Sequence, residues 1–562
     1  MKTACDFRFG FWDVTAAGDA RLAASQNQPF ADIADVNNEG DVPELPNAAT
    51  LEHNFGWVLD GSKEALPDDV EAYPWGWWSE SISGDDCSFV DPPQLVVDFM
   101  DDSGAATPHS SAGITLDFVG TLPRLVQIEW YGADGGLLDS GEFAPDSMSY
   151  FCERQVMEYY RVVISIPAMS WPRRYLRVVG VLFGCIKVLS GGEVINAKLT
   201  QEVSPVSLTL PVSKLELSFY SPDGDFSLLD PRGAYQLFQY RQKVEAYKTI
   251  DGERRCLEEC YLQEASGTVD AATKLVCQNI IGVLDGVEFD GGIYQDEPLE
   301  DLLGEILTPE SVDFSIDAAF AGVTLSGWLP IGSKRAALQN IAFAIGAMVL
   351  TCGSGGVRFV PLPAVCVADI GVNRKIVGHK VTLEELVTQV DVVAHQYELG
   401  DSGQLAKSTL GVGEHKITFI RPAEVSGVSG ATLLEAHPNF CRVQVDVAGE
   451  VTVTGREWED METVYSAALP SIPAGCSPGV KSVSNATLVD ADKAAAVAER
   501  LLAYYQLRYT DEGQSLPGWE MVGDMAAIHS LNGRTIEGYI ERLVTDLSGG
   551  ALQTVEIRGG VK

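Results

Sequence analysis

Aromatic side chains crowd one short stretch of the sequence, Tyr73-Pro74-Trp75-Gly76-Trp77-Trp78. Aromatic rings stack on the apolar faces of sugars when a loop presents them to solvent. We therefore name Tyr73, Trp75 and Trp77 as candidate carbohydrate-binding residues. Tryptophan is also a large core residue, so we assign Trp78 to the core and keep the core as the alternative for Trp77.

Two other groups have side chains of the kind that bind metals. Asp60, Asp85 and Asp86 could ligate calcium, which takes several oxygen ligands. They lack a spaced calcium-loop signature, so we interpret them as solvated loop acids. Cys256 and Cys260 lie four residues apart, but no second Cys or His pair has zinc spacing. We expect no metal site and no cofactor.

A third motif, Gly400-Asp401-Ser402-Gly403, also occurs around the nucleophile of chymotrypsin-like proteases. Here Gln404-Leu405 follows instead of that family's Gly-Pro, and the motif falls in a stretch that reads as a polar loop. The 7 histidines lie apart in the sequence, and we interpret them as surface or capping residues. HExxH, P-loop and dinucleotide-binding motifs are missing from the sequence. Nothing singles out a carboxylate pair for glycoside hydrolysis, so we predict no catalytic residue and no enzyme.

Length and composition indicate a large globular chain. Its 562 residues suffice for about three to five domains, and a hydrophobic content of 46% allows large cores. We find no uninterrupted apolar run of 18 residues and no apolar segment near Met1, so we expect neither a transmembrane helix nor a secretory signal. We expect synthesis in a bacterial cytoplasm, with reduced cysteines packed as small hydrophobes.

The net charge of the chain limits which partners it can bind. The chain has 79 acidic and 39 basic residues, a net charge of −40. A surface this negative repels nucleic-acid phosphates, so we expect no specific nucleic-acid binding. The same charge suits either simple solubility or the wall of a channel past which DNA slides without sticking.

Short strands and turns recur through residues 1–185, starting with a strand over 6–14, which predicts a β-sandwich. Four groups in this region resemble the discoidin-like, galactose-binding jelly roll. They are Ala48 to Asn54 with Leu59-Asp60-Gly61, Trp77-Trp78-Ser79, Leu95 to Phe99 with Gly113 to Phe118, and Tyr175 to Gly184. The resemblance implies a jelly roll whose loop tips often bind sugars or phospholipids.

The next stretch, Pro205 to Asp285, alternates apolar and polar residues between turn signals, which predicts a small antiparallel barrel. Four of its segments resemble the first barrel of phage tail hub proteins. They are Ser207 to Pro211, Val244 to Tyr247, Leu262 to Ala265 and Cys277 to Asp285. The resemblance continues in order through 334–362, 494–509 and 517–557.

Helices interrupt the strands at three places. Residues 298–307 and 334–349 have helical apolar spacing, and Ser333 can cap the second of these helices. The third helix is predicted to follow Asp490 through Leu507. We therefore predict a mainly β multidomain chain. Its parts are a jelly roll at 1–185, a first hub barrel at 186–289, an α/β segment at 290–365, a second barrel at 366–490, and a C-terminal helix with closing strands at 491–562.

The resemblance to tail hubs implies a structural virion protein of a tailed phage. Such a protein would close the distal end of the tail tube as a homotrimer and open for genome ejection. Its partners would be the tail tube or distal tail protein, the tape-measure protein, tip or fibre proteins, and host polysaccharide contacted by the jelly roll. Two alternatives remain open: a cell-surface carbohydrate-binding adhesin, against which the missing signal argues, and a polysaccharide hydrolase, for which we find no site.

Overall fold

The structure, a computed structural model, describes residues 2–12, 14–27, 33, 36–37, 76–101, 103–220, 241–267, 272–353, 356–376 and 378–562. Strands dominate it, as predicted, and they form several sheets joined by five α-helices in the described part. The expectation of a mainly β multidomain chain is confirmed. Elements are numbered below in chain order.

The N-terminal part is a sandwich of a five-stranded and a four-stranded sheet. Its strands alternate as half-buried strands should: in β4 the side chains of Leu95, Val97 and Phe99 point inward. These side chains share one core with Trp77 and Trp130. In chain order, the elements from the N-terminus to the last strand of the sandwich are β1 (Thr3–Trp12), α1 (Val14–Asp19), β2 (Ala20–Ala24), β3 (Trp77–Trp78), β4 (Gln94–Phe99), β5 (His109–Phe118), β6 (Pro123–Tyr131), β7 (Leu137–Phe143), β8 (Ser149–Tyr159), β9 (Arg161–Met169) and β10 (Arg177–Leu182), and all of the strands except β1 belong to its two sheets.

A second core lies under the next strands, where the first barrel was predicted. Phe7 and Phe9 of β1 belong to this core, so β1 pairs with β11 and β14 and not with the sandwich to which we assigned it. The reason is burial: both phenylalanines are fully buried beside Leu189 and Val244. The strands are β11 (Gly184–Ser190), β12 (Val194–Glu202), β13 (Lys214–Tyr220), β14 (Lys243–Ile250), β15 (Glu253–Gly267) and β16 (Ala272–Gln278).

Helices and short strands build the largest core. Two of the three predicted helices begin where their caps predicted: Ser333 accepts from the backbone N–H of Ala336, and Asp490 from that of Lys493. The second predicted helix, expected to reach residue 349, ends earlier because Gly346 takes a left-handed φ of 79°. The elements are α2 (Ile280–Asp285), β17 (Glu288–Phe289), β18 (Gly292–Pro298), α3 (Leu299–Leu307), β19 (Phe314–Ile316), β20 (Thr324–Leu329), β21 (Gly332–Ser333), α4 (Lys334–Ile345), β22 (Met348–Leu350) and β23 (Val357–Val360).

The C-terminal half contains a long antiparallel hairpin and closing strands. Its elements are β24 (Ala368–Ile370), β25 (Lys380–Leu383), β26 (Gln389–Leu410), β27 (Gly413–Thr418), β28 (Ala423–Ser429), β29 (Thr432–His437), β30 (Phe440–Val445), β31 (Gly449–Ala468), β32 (Val480–Val483), α5 (Ala491–Tyr505), β33 (Tyr509–Ser515), β34 (Met525–His529), β35 (Thr535–Asp546) and β36 (Gln553–Val561). Three 3₁₀ turns (Thr308–Glu310, Ala318–Phe320 and Val372–Arg374) complete the described helical elements.

The second barrel differs from the prediction of 366–490. Its strands are β24, β25 and β33 to β36, whose inward residues share a separate core. Residues 389–468 instead form the hairpin of β26 and β31, whose outer end carries its own small core under β27 to β30. The sequence does not reveal which strands form this part of the sheet, because β25 pairs with β33, which lies about 130 positions further along the chain.

The strands of both predicted barrels belong to one 13-stranded sheet, joined where β12 pairs with β35. Its main path begins at β11 and ends at β25. At each end a pair of neighbouring strands encloses a large inserted unit. The sandwich lies between β1 and β11, and the long hairpin with α5 lies between β25 and β33.

Candidate assembly surface

The end of the sheet at β25 presents both an open strand edge and apolar side chains. All four residues of β25 are exposed, and Val381 and Leu383 are exposed to 54% and 57%. Within the described residues β25 pairs with β33 alone. An edge strand of this kind offers unpaired backbone groups and apolar surface to another chain. We call Lys380–Leu383 the β25 edge.

A buried aspartate fixes the β25 edge to the barrel. Asp511 of β33 is 2% exposed, and its Oδ1 lies 2.6 Å from Nδ1 of His379, the residue just before β25. Nε2 of His379 lies 2.8 Å from the carbonyl oxygen of Gln514, and Lys375 Nζ lies 3.4 Å from Asp511 Oδ2. Both imidazole nitrogens therefore face oxygen atoms within hydrogen-bond distance. The contacts of His379 with Asp511 and Gln514 therefore hold the residue before β25 in one position.

A second polar cluster lies at the seam between the first barrel and the helical core. Glu258 of β15 is fully buried, and its carboxylate accepts from Gln201 Nε2 and from Thr351 Oγ1, each at 2.7 Å. Asn279, the N-cap of α2, donates in turn to Thr351 Oγ1 at 2.8 Å. Burial raises the pKa of Glu258 to about 7, and the hydrogen bonds only partly oppose this. The cluster links β12, β15, α2 and the residue after β22.

The Glu258 cluster was not predicted, although the sequence holds a signal for it. Cys256, Glu258, Cys260 and Leu262 alternate along β15, so the glutamate occupies a position on an otherwise apolar face. The pairing with β14 also shifts register here, which places Leu257 and Glu258 inside together. A charged residue at an inward-facing position of an alternating strand is the sequence signal for such a buried polar cluster.

Lys248 of β14 links the first barrel to the segment between β33 and β34. It is fully buried, and its Nζ donates to the carbonyl of Gly518 at 2.6 Å, with the ring of Trp519 5.2 Å away. Burial lowers the pKa of Lys248 to about 8. Gly518 also donates its N–H to Gln553 Oε1 at 2.7 Å. Buried polar contacts therefore join the first barrel both to the helical core and to the C-terminal strands.

The outer end of the long hairpin docks back on the helical core. Asn439 is 2% exposed, and its amide nitrogen donates to the carbonyls of Asp290 and Leu329 at 2.7 and 2.9 Å. Its amide oxygen accepts from Trp328 Nε1 at 2.7 Å. Lys416 adds an ion pair to Asp290 at 2.6 Å. These contacts hold the hairpin against the α/β segment.

Comparison with known proteins gives matches among solved structures only. The chain resembles the 43 kDa tail protein of prophage MuSo2 from Shewanella oneidensis (8% identity, TM-score 0.39, 66% of this chain and 94% of that one). It also resembles the tail protein from Neisseria meningitidis MC58 (11%, 0.41, 66% and 93%) and prophage tail protein gp18 from Listeria monocytogenes EGD-e (10%, 0.38, 67% and 92%). No protein-family model and no curated protein matches the chain. At these identities and TM-scores the matches do not assign a family.

The candidate carbohydrate residues fall in different places. Trp77 is fully buried in the sandwich core, where Nε1 donates to the carbonyl of Gln26 at 2.8 Å. Its ring therefore has no face open to a sugar in this structure. Trp78 is also fully buried, with the Arg177 guanidinium 3.9 Å from its ring, which confirms its core assignment. Tyr73 and Trp75 lie outside the described residues, so the sugar site there stays a prediction.

The structure also shows the surroundings of other residues that the sequence analysis singled out. Asp401 and Ser402 lie exposed within β26 and not in a loop, because the hairpin continues through them. Asp85 pairs with Arg173 at 2.8 Å, and Asp60 lies outside the described residues. Burial raises the pKa of the Cys256 thiol to about 12.

We interpreted all the histidines as surface or capping residues, but the structure shows that two of them are buried. His109 and His395 are 7% and 4% exposed, because each turns its ring toward a carboxylate that lies within 3.0 Å. In the described part of the chain no helix is long and apolar enough to span a membrane.

Proposed function

We propose that this chain is a structural hub of a phage-type tail, acting as a homotrimer that closes the distal end of the tail tube. The observation behind this proposal is the 13-stranded sheet, which joins the strands of both predicted barrels in one chain and stops at the exposed β25 edge. Two linked barrels per chain give six similar units in a trimer, the number that the hub resemblance implies for matching a hexameric tube. The ordered sequence similarity to hub proteins supports the same proposal.

In this proposal the β25 edge is where one copy meets the next. Strand pairing across copies would use its free backbone groups, and Val381 and Leu383 would be covered. The net charge of −40 would let DNA or a tape-measure protein pass without sticking to the hub. The hub would anchor tip or fibre proteins below and open for genome ejection, and it would act without catalysis.

The test is the oligomeric state of the full chain by sedimentation velocity. We expect a trimer for the wild type and a shift to monomer for the double variant Val381→Lys, Leu383→Lys. Leu531→Lys is the matched control, because Leu531 is 92% exposed in the turn between β34 and β35 of the same barrel. A monomeric wild type, or a double variant that stays trimeric, would refute the edge as the meeting point.

We further propose that the sandwich contacts host polysaccharide through Tyr73 and Trp75, as its jelly-roll resemblance suggests. The full chain would be tested on a glycan array beside Trp75→Ala. Trp171→Ala is the comparison, because Trp171 is 65% exposed on the same unit. Loss of glycan binding in Trp75→Ala alone would support the proposed sugar site. Loss only in Trp171→Ala would refute it and place the sugar site at Trp171 instead. The alternative, a surface adhesin, would bind glycan as a monomer.

A further inference from the structure

One face of the long hairpin brings together a histidine and two carboxylates. In the pairing of β26 with β31, His395 lies opposite Glu462 and Tyr397 lies opposite Asp460. Paired residues of an antiparallel ribbon point to the same side, and so do residues two apart on one strand. The side chains of His395, Asp460 and Glu462 therefore converge, although 65 residues separate the histidine from the aspartate.

The geometry of this group is close to that of a metal site. The candidate ligand atoms of the three residues all lie within 4.8 Å of one another, and His395 Nδ1 is 2.8 Å from Asp460 Oδ2. Nitrogen and oxygen ligands sit about 2.0–2.2 Å from a first-row divalent ion, so two ligands of one ion are at most about 4.4 Å apart. A small rotation of Glu462, which is exposed, closes the remaining difference.

Few protein contacts compete for this cluster. His395 is 4% exposed, and the ring nitrogen that faces the carboxylates is Nδ1, so Nδ1 is the atom that would bind an ion. Neutral imidazole is a frequent metal ligand. Within the described residues Glu462 forms no ion pair, and His395 is the one partner of Asp460 in an ion pair. Asp460 therefore pairs with the buried imidazole, whereas the neighbouring Glu462 has no ion-pair partner of its own among the described residues.

The surroundings are also acidic. His395 and Tyr397 line a cavity of about 350 Å³ whose wall includes Asp296, Asp490 and Asp492. Asp490 is engaged at the N-terminus of α5, where it caps the helix and pairs with Lys493. Asp460 and Glu462 do not line this cavity, so its acids add negative charge near the histidine and are not candidate ligands of the site.

We infer that His395, Asp460 and Glu462 bind a first-row divalent metal ion, with water or a group from another protein completing its coordination. One imidazole nitrogen and two carboxylate oxygens suit Zn²⁺ or Mn²⁺ better than Ca²⁺, which takes oxygen ligands. The site lies where the hairpin leaves the core: Val390 and Val392 to His395 are buried in β26, and Gln396 is exposed. An ion there would join β26 to β31 and stiffen the projecting part.

Mn²⁺ is the appropriate first probe, because the chain has free cysteines, among them the exposed Cys476, that would capture Zn²⁺. Titration of the full chain would be followed by the loss of the electron paramagnetic resonance signal of free Mn²⁺. We expect one saturable site in the wild type, which Zn²⁺ displaces in a Cys476→Ser background. Glu462→Gln should weaken Mn²⁺ binding at least about 10-fold, since it removes a direct ligand.

Glu459→Gln is the matched control, because Glu459 is exposed on the same strand but on the opposite face, paired with Glu398. It should bind Mn²⁺ as the wild type does. His395→Gln should also abolish binding, and its circular dichroism would show whether the hairpin still folds. Equal weakening in Glu459→Gln and Glu462→Gln would indicate diffuse attraction to a polyanion and overturn the site. So would the absence of saturable binding in the wild type.

Discussion

Glu258→Gln should remove a pH dependence from the seam of the molecule. Burial raises the pKa of Glu258 from its ordinary value of 4.5 to about 7. The folded chain therefore holds this proton more tightly than the unfolded chain, and ionising the residue costs stability. The cost is absent below pH 4.5, grows between pH 4.5 and 7, and is constant above pH 7. Its full size is about 3 kcal/mol, from 1.36 kcal/mol for each pKa unit.

The glutamine variant keeps the shape of the side chain and much of its bonding. Its amide oxygen can accept from Gln201, and its NH₂ group can donate to the Thr351 hydroxyl, which is free to turn. Between pH 5 and pH 8 the wild type should lose about 2.5 kcal/mol through this residue, and the variant should lose none of it. The variant should be the more stable protein at pH 8.

Hydrogen exchange of peptides from β12 and β15 is the suitable assay, because a chain with several cores need not unfold in one step. Opening free energies would be compared at pH 5 and pH 8 after correction for intrinsic exchange. Glu264→Gln serves as the control, since Glu264 is exposed on the same strand. If Glu258→Gln shows the same pH slope as the wild type and the control, the carboxyl is not the titrating group and the reasoning fails.

Three further substitutions test other contacts. Lys248→Met should abolish a rise in thermal stability that we expect in the wild type between pH 8 and 10.5. The folded chain releases the lysine proton near pH 8, whereas the unfolded chain holds it up to about pH 10.5, so stability rises between these values. An unchanged profile in the variant would contradict this. Gly346→Ala should cost about 1–3 kcal/mol in urea unfolding, since φ is 79° and a Cβ would lie 2.1 Å from Arg500 Nη1. Trp77→Ala should cost about 3–5 kcal/mol and make the sandwich sensitive to protease, whereas wild-type resistance would argue against its core role.

Local signals predicted the local structure well. Ser333 and Asp490 cap their helices as expected. Asp251-Gly252, an Asp-Gly pair of the kind that favours two-residue hairpin turns, forms the turn between β14 and β15, and β22 pairs with β23 in a further hairpin. Each of these features depends on residues close in sequence, so the physical cause is visible in one short window.

Features that depend on distant partners could not be predicted in the same way. The outer half of β26 reads as a loop because most of its side chains face solvent, so it lacks the alternation of a half-buried strand. The assignment of β1 failed because its alternation fits a sandwich or a barrel equally well, and only its partners decide. The His395 cluster depends on the register between β26 and β31, which the sequence does not state.

The sheet also explains why two such different units can belong to one chain. The sandwich starts and ends at neighbouring strands, β1 and β11, and the hairpin unit does the same at β25 and β33. A unit whose ends are already held together can be lengthened at small cost, since loop-closure entropy grows only with the logarithm of length. Both units are inserted at the ends of the sheet, so neither unit interrupts the strands that lie between the two ends. The units inserted at the two ends can therefore change in length and sequence without changing the strands of the sheet between them.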